Sequence, residues 1–179
     1  MDMEAILLVM LTALYGGSMK VADLLDEHGL RLFRGDAVFF GVLWGASGVW
    51  LVLASPSLCS TILAMNVAFI VRNRLDYWNH QIAATMIIAT AVGFGSIDRT
   101  IFLGFLAVFV VFGGLKDYVD DVLHAGGFLA RINEMMWYYL IPTFIYSWVT
   151  GDASVFAVFA LYWFTYNTVK LAAEVCGYR

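Results

Sequence analysis

Long apolar runs alternate with short polar ones along the whole chain. The runs are Met3 to Lys20, Ala37 to Ser55, Leu58 to Arg72, Gln81 to Ile97, Thr100 to Leu115, Met135 to Val149 and Ser154 to Val169. A membrane-crossing helix takes about 20 residues, and the shorter runs reach that length by extending a turn at each end. The pattern therefore predicts an all-α, polytopic membrane bundle of seven transmembrane helices. Seven such spans use about 140 residues of a chain of 179, so the connections are short and residues 1–179 form a single integral-membrane domain. Pro56 marks a turn between the second and third runs, and Gly151-Asp152 separates the sixth from the seventh. Pro142 lies inside the sixth run, where a kink is expected because neighbouring helices can satisfy the freed carbonyl.

Composition narrows the class further. The sequence is 62% apolar and only 13% charged, against roughly half apolar and a quarter charged in soluble domains. A mean hydropathy of +0.82 excludes both a soluble enzyme and a disordered chain. Ten Lys and Arg against fourteen Asp and Glu give a net charge of −4, which argues against nucleic acid as a partner. The first run carries Asp2 and Glu4 in place of a basic n-region, so it reads as a retained helix and not a signal peptide.

Basic residues accumulate in cytoplasmic loops. With seven spans and the N-terminus outside, every Lys and Arg except Arg99 falls on the cytoplasmic side, together with the C-terminus. Trp50 and Trp148 then approach the outer interface, and Trp78 and Trp137 the inner one. Cys59 and Cys176 fall on opposite faces and are not expected to pair.

The candidate chemistry sits at the inner ends of the odd-numbered helices. Asp23 and Asp26 follow the first, Asp76 the third, and Asp117, Asp120 and Asp121 the fifth. Each group is followed by one histidine: His28, His80 or His124. If the helices continue past the membrane surface, Asp23 and Asp26 share one helical face, and Asp117, Asp120 and His124 another. Two such oxygen-rich ledges facing each other would suit Mg²⁺, which takes one or two carboxylates plus substrate phosphates. The bland alternative is a set of solvated loop charges; for His28 and His80 that is the favoured reading. Asn66 is read as a helix-packing residue. Gly41, Gly45 and Gly48 with Ala46 give the second helix a small face for close packing. Lys170, near the inner end of the seventh helix, reads as an interfacial lysine and not a mid-membrane retinal anchor.

The stretch Lys116-Asp117-Tyr118-Val119-Asp120-Asp121-Val122-Leu123-His124 resembles the second aspartate motif, K-D-x-x-D-x-x-G-D, of the UbiA superfamily of intramembrane prenyltransferases. Ala22-Asp23-Leu24-Leu25-Asp26-Glu27-His28-Gly29-Leu30 resembles that family's first motif, N-D-x-x-D-x-x-x-D. Two of three aspartates are present in each. Arg72-Asn73-Arg74 and Asn79 are similar to the basic residues and Asn at the end of the family's fourth helix, and Arg31-Leu32-Phe33-Arg34-Gly35 to its R-P-L-x-S-G stretch. The resemblance covers roughly Gly16 to Arg131. Family members usually have nine helices, and this chain lacks counterparts of the first and last.

The resemblance implies a reduced prenyltransferase whose cytoplasmic mouth binds Mg²⁺ and an isoprenyl diphosphate, with a lipid-like or aromatic acceptor. Asp23, Asp26, Asp117 and Asp120 would hold metal, with Asp117, Asp120 and Lys116 catalytic. Arg72, Arg74, Asn79 and His124 would bind substrate. The missing helices point to a homodimer in which a partner covers the exposed flank. Two other classes stand beside this one: a non-catalytic prenyl-lipid-binding or partner subunit of the same fold, and, third, a small membrane transporter. Transport is disfavoured because the spans carry almost no charge near their centres.

Overall fold

The computed structural model describes residues 3–123, 133 and 135–178. All regular structure among them is helical, in seven segments: α1 Met3–Glu27, α2 Asp36–Ala54, α3 Pro56–Val71, α4 Trp78–Phe94, α5 Arg99–Asp121, α6 Trp137–Thr150 and α7 Ala153–Val175. Each covers all or most of one of the apolar runs. Four of them, α1, α2, α5 and α7, are long and apolar enough to cross a membrane. Outward faces of α4, α6 and α7 carry large apolar side chains, Phe94, Trp148 and Val175, each at least 80% exposed, a surface far too apolar for water. The class the fold defines is a helical membrane protein.

The helix boundaries have local causes. Pro56 does more than break the chain: it occupies the first turn of α3, where its missing N–H costs nothing, and the Ser55 hydroxyl caps the helix by accepting from Leu58 N–H at 3.2 Å. Asp98 and Asp152 cap α5 and α7 in the same way. Helix α6 runs through Pro142 without ending. Just beyond it the Thr143 hydroxyl donates to the Tyr139 carbonyl one turn back, at 2.6 Å. Gly151, at φ +76°, closes α6 in the left-handed region that favours glycine.

Helix α3 is the axis of the molecule. It is buried over most of its length, from Leu58 to Phe69, and packs on α2, α4, α5 and α7. On one side α2 lies between α1 and α4; on the other, α5, α6 and α7 pack in sequence, and α7 closes the circle against α1. The α2–α4 contact is very close. A Cβ on Gly41 would stand 2.8 Å from the Asn79 backbone, one on Gly45 3.1 Å from the Ala83 Cα, and one on Gly48 2.5 Å from Ile87. The small face expected of the second helix is thus the surface that α4 uses. Buried hydroxyls are absorbed within helices: Thr12, Ser47, Ser60 and Thr61 each bond a carbonyl four residues back. The free cysteines lie apart in environment, Cys59 buried and Cys176 exposed.

Candidate functional site: a mixed-charge chamber at one end of the bundle

A chamber of about 180 Å³ opens where helix ends converge. Asp23 and Glu27 from the end of α1, Arg72 and Arg74 from the end of α3, His80 from the start of α4, and Lys116 and Asp117 from the end of α5 line it. Tyr138 and Tyr139 at the start of α6 and Tyr166 toward the end of α7 complete the wall. Ends of odd-numbered helices therefore meet starts of even-numbered ones, as alternation in direction requires. The opposite end has its own ties, Tyr146 Oη to Ser57 Oγ and Asp98 N–H to Ser60 Oγ.

Asp23 is 7% exposed and has three partners. Tyr166 donates its hydroxyl to Oδ2 at 2.7 Å, Lys20 Nζ stands 3.6 Å from the same oxygen, and His80 Nε2 lies 3.0 Å from Oδ1. The His80 contact becomes an ion pair when the imidazole is protonated. Burying Asp23 alone would be costly; these partners are what make it tolerable. Trp44 and Tyr77 fix the His80 ring edge-on, with centroids at 5.6 and 5.7 Å.

Across the chamber Arg72 grips Asp117 with two parallel bonds, Nε to Oδ2 at 2.8 Å and Nη2 to Oδ1 at 2.9 Å, the fork geometry that arginine offers a carboxylate. Its guanidinium lies about 6 Å from the ring centroids of Phe69 and Tyr138 and against Gly113 of α5, where a Cβ would collide with it. Arg74 adds a contact to Asp117 Oδ1 at 2.8 Å and a short one to Asp121. Burial works to lower the Arg74 pKa, but the bonds and charge of Asp117 and Asp121 offset it and leave it raised. Lys116 Nζ meets Asp120 Oδ2 at 2.6 Å, and Asn133 donates to Asp120 Oδ1.

Of the residues expected from sequence, Asp23, Asp117, Lys116, Arg72 and Arg74 gather around the chamber. Asp120 stands beside it through Lys116. Asp26, half-buried on α1, is outside the lining. Asn79 is fully buried and turned away: its amide donates to the Ala22 carbonyl at 2.9 Å and its Oδ1 accepts from His80 N–H, tying α4 to α1. That arrangement exists because α4 begins at Trp78, a turn before the apolar run, so Asn79 and His80 are helical and not loop residues. Helix α5 ends at Asp121, which limits the second ledge to Asp117 and Asp120; His124 lies outside the described residues. His80, Lys20, Tyr166 and Gly113 are the residues that sequence reasoning passed over. Tyr162 and Tyr166, spaced i, i+4 on α7, were a usable signal of a polar aromatic stripe, and Gly113-Gly114 beside a Lys-Asp pair was another.

The donor set bears on Mg²⁺. Among the described residues no group of three or more His, Cys, Asp or Glu could hold a metal, and both Asp117 oxygens are engaged. What the chamber offers is four carboxylates, Asp23, Glu27, Asp76 and Asp117, with the cations Arg72, Arg74 and Lys116 among them. That set fits a Mg²⁺ arriving with a phosphate group, since such an ion needs only one or two protein carboxylates. No protein-family model matches the sequence, and no curated protein or solved structure is significantly similar to it.

Proposed function

We propose that the chain is an intramembrane prenyltransferase-like protein that binds the diphosphate head of an isoprenyl diphosphate in this chamber, with Mg²⁺, and passes the prenyl group to an aromatic or lipid-like acceptor. The reading rests on one observation: Asp23 and Asp117, one from each aspartate motif, line a single cavity together with Arg72, Arg74 and Lys116. In this reading all seven helices span the cell membrane, the N-terminus is outside, and the chamber faces the cytoplasm with nearly all of the basic residues. The alternating direction of the helix ends at the chamber supports that topology.

The chemistry follows from exchange of partners. In this reading Arg72, Arg74 and Lys116 would turn from their carboxylates to the oxygens of a bound diphosphate, and Asp117, Asp120 and Asp23 would be the residues to hold the accompanying metal. When bound, Mg²⁺ neutralises charge on the phosphates. The allylic C–O bond breaks, its electron pair leaves with the diphosphate, and the acceptor's electron pair forms the new bond to the allylic carbon. The displaced proton leaves with the diphosphate. The arginines and lysine stabilise the charge that builds on the leaving group.

A second reading, a non-catalytic prenyl-lipid-binding or partner subunit, is favoured by the saturation of Asp117 by two arginines. The two separate in one assay on purified protein in nanodiscs, with geranylgeranyl diphosphate, Mg²⁺ and a panel of acceptors. Prenylated product that disappears on chelation and in Asp117→Ala supports transfer. Tight diphosphate binding without product supports the subunit, and absence of both rejects the two together. A homodimer is part of the proposal, and a monomer by mass photometry would remove that part.

A further inference from the structure

Beneath the chamber lies a second polar group that the proposed reaction does not use. Met19, Trp44 and Phe69 are part of the chamber lining. About one turn deeper in the bundle, Tyr15 precedes Met19 on α1 and Asn66 precedes Phe69 on α3. Trp44 belongs to both levels, lining the chamber and standing beside Tyr15 with ring centroids 6.3 Å apart. The three side chains are enclosed, Tyr15 2%, Trp44 1% and Asn66 0% exposed. The Tyr15 hydroxyl is close to the Trp44 indole and the Asn66 amide, yet Tyr15 Oη, Trp44 Nε1 and Asn66 Oδ1 have no hydrogen-bond partner among the described residues. Three unbonded polar atoms side by side in a bundle interior are costly. The buried hydroxyls of Thr12, Ser47, Ser60 and Thr61 avoid that cost by bonding their own helix; these three atoms do not.

Their chemistry defines the missing partner. The indole N–H only donates, and the phenol donates or accepts. Asn66 offers an acceptor, because Nδ2 of the same amide is committed to the Ile62 carbonyl at 2.9 Å. None of the three carries a charge, so the set matches neither a metal ion nor an anion. It matches a hydroxyl that accepts on one side and donates on the other. We infer that Tyr15, Trp44 and Asn66 bind a water molecule that joins α1, α2 and α3 beneath the chamber. The water accepts from Trp44 Nε1, donates to Asn66 Oδ1 and bonds the Tyr15 hydroxyl. Three polar partners is the usual complement of a buried water, and the enclosure of all three side chains favours water over a larger alcohol. Trp44 is the boundary that water crosses from the chamber. The site does not depend on which molecule the chamber takes, and it gives Asn66 a role beyond helix packing.

Magnetic resonance on the full chain in nanodiscs, isotopically labelled at the indole nitrogens, tests the site with no measurement of activity. The Trp44 indole signal is the one that Trp44→Phe removes. In wild type its proton should show magnetisation transfer to water despite its burial, and that transfer should be lost in Asn66→Leu and in Tyr15→Phe. Trp78, 78% exposed, serves as the control whose water contact stays unchanged in both variants. Absence of transfer at Trp44 in wild type overturns the inference, because the three side chains then bond one another directly. Transfer that survives both substitutions also overturns it, because the water then belongs to the chamber alone. A second measurement needs no variant: a structure determined at about 2 Å should show one water oxygen within roughly 3.2 Å of Trp44 Nε1, Tyr15 Oη and Asn66 Oδ1. Direct bonds among the three atoms, with no water between them, would sink the idea.

Discussion

The two sides of the bundle are built on different principles. Helices α1, α2 and α4 come together through backbone contact: Gly41, Gly45 and Gly48 let α4 approach until a single added carbon would collide. Helices α5, α6 and α7 come together through rings. Phe105, Phe109, Tyr139, Phe159 and Tyr162 pack with centroid separations of 5.2 to 6.2 Å, and α5 buries only Phe105, Phe109 and Gly113. In a bilayer, where burial of apolar surface brings no hydrophobic gain between helices, dense small-residue contact is the stronger adhesive. The chamber sits on the seam, with Asp23 and His80 from the close-packed side and Asp117 and Tyr166 from the aromatic side. The Tyr166 hydroxyl on Asp23 joins the two sides directly, and the Arg72–Asp117 pair ties α5 to the end of the central α3.

The largest effect should come from the seam itself. Arg72→Ala leaves Asp117 with only Arg74 and is expected to cost about 3–5 kcal/mol, the penalty for stranding a buried charge. Thermal unfolding in detergent measures it, and Arg72→Met combined with Asp117→Leu should recover much of the loss. Full stability of Arg72→Ala would mean that α5 is held to the rest of the bundle elsewhere.

Next in size is Gly41→Ala, which pushes a methyl against the Asn79 backbone and should cost roughly 1–3 kcal/mol by overpacking. The matching change on the aromatic side, Gly104→Ala on exposed α5, meets open space. It should instead stabilise by up to about 1 kcal/mol through helix propensity. Opposite signs for the two alanines sharpen the contrast between the sides, and equal signs break it.

The smallest effect concerns the start of α7. Asp152 accepts from Ser154 N–H at 3.0 Å and from its hydroxyl. Burial alone would raise its pKa, but these bonds and Ser57 hold it below the usual aspartate value. A depressed carboxylate pKa stabilises the folded state above the unfolded value near 3.8, and that stability is lost as pH falls through the lower folded-state value. Asp152→Ala should cost about 1 kcal/mol at neutral pH. Asp152→Asn should flatten the pH dependence of melting below pH 4.

Much of this was legible in the chain. Each of the seven apolar runs is a helix, because hydropathy over a window of that length leaves few alternatives for a backbone that must satisfy its own hydrogen bonds. The glycine face of α2 was readable because small residues at helical spacing have little other use. The two acidic clusters were visible as spacing, and their co-location was an expectation. Asn79 was misplaced since helix starts are set by tertiary contacts, here its bond to Ala22, and hydropathy is blind to them. His80 looked like a solvated loop residue for the same reason. Nothing in the spacing of Arg72 and Asp117 announces that they pair, nor that Gly113 is a glycine because a guanidinium crosses it.

The sequence by itself determined how many helices form and which end of each carries charge, because the cost of apolar surface in water and of bare backbone in lipid acts locally along the chain. Only the tertiary structure decided which charges neutralise one another and which helix ends share a chamber. Those outcomes depend on the order of helices around α3, which is set by shape and contact between segments distant in the chain.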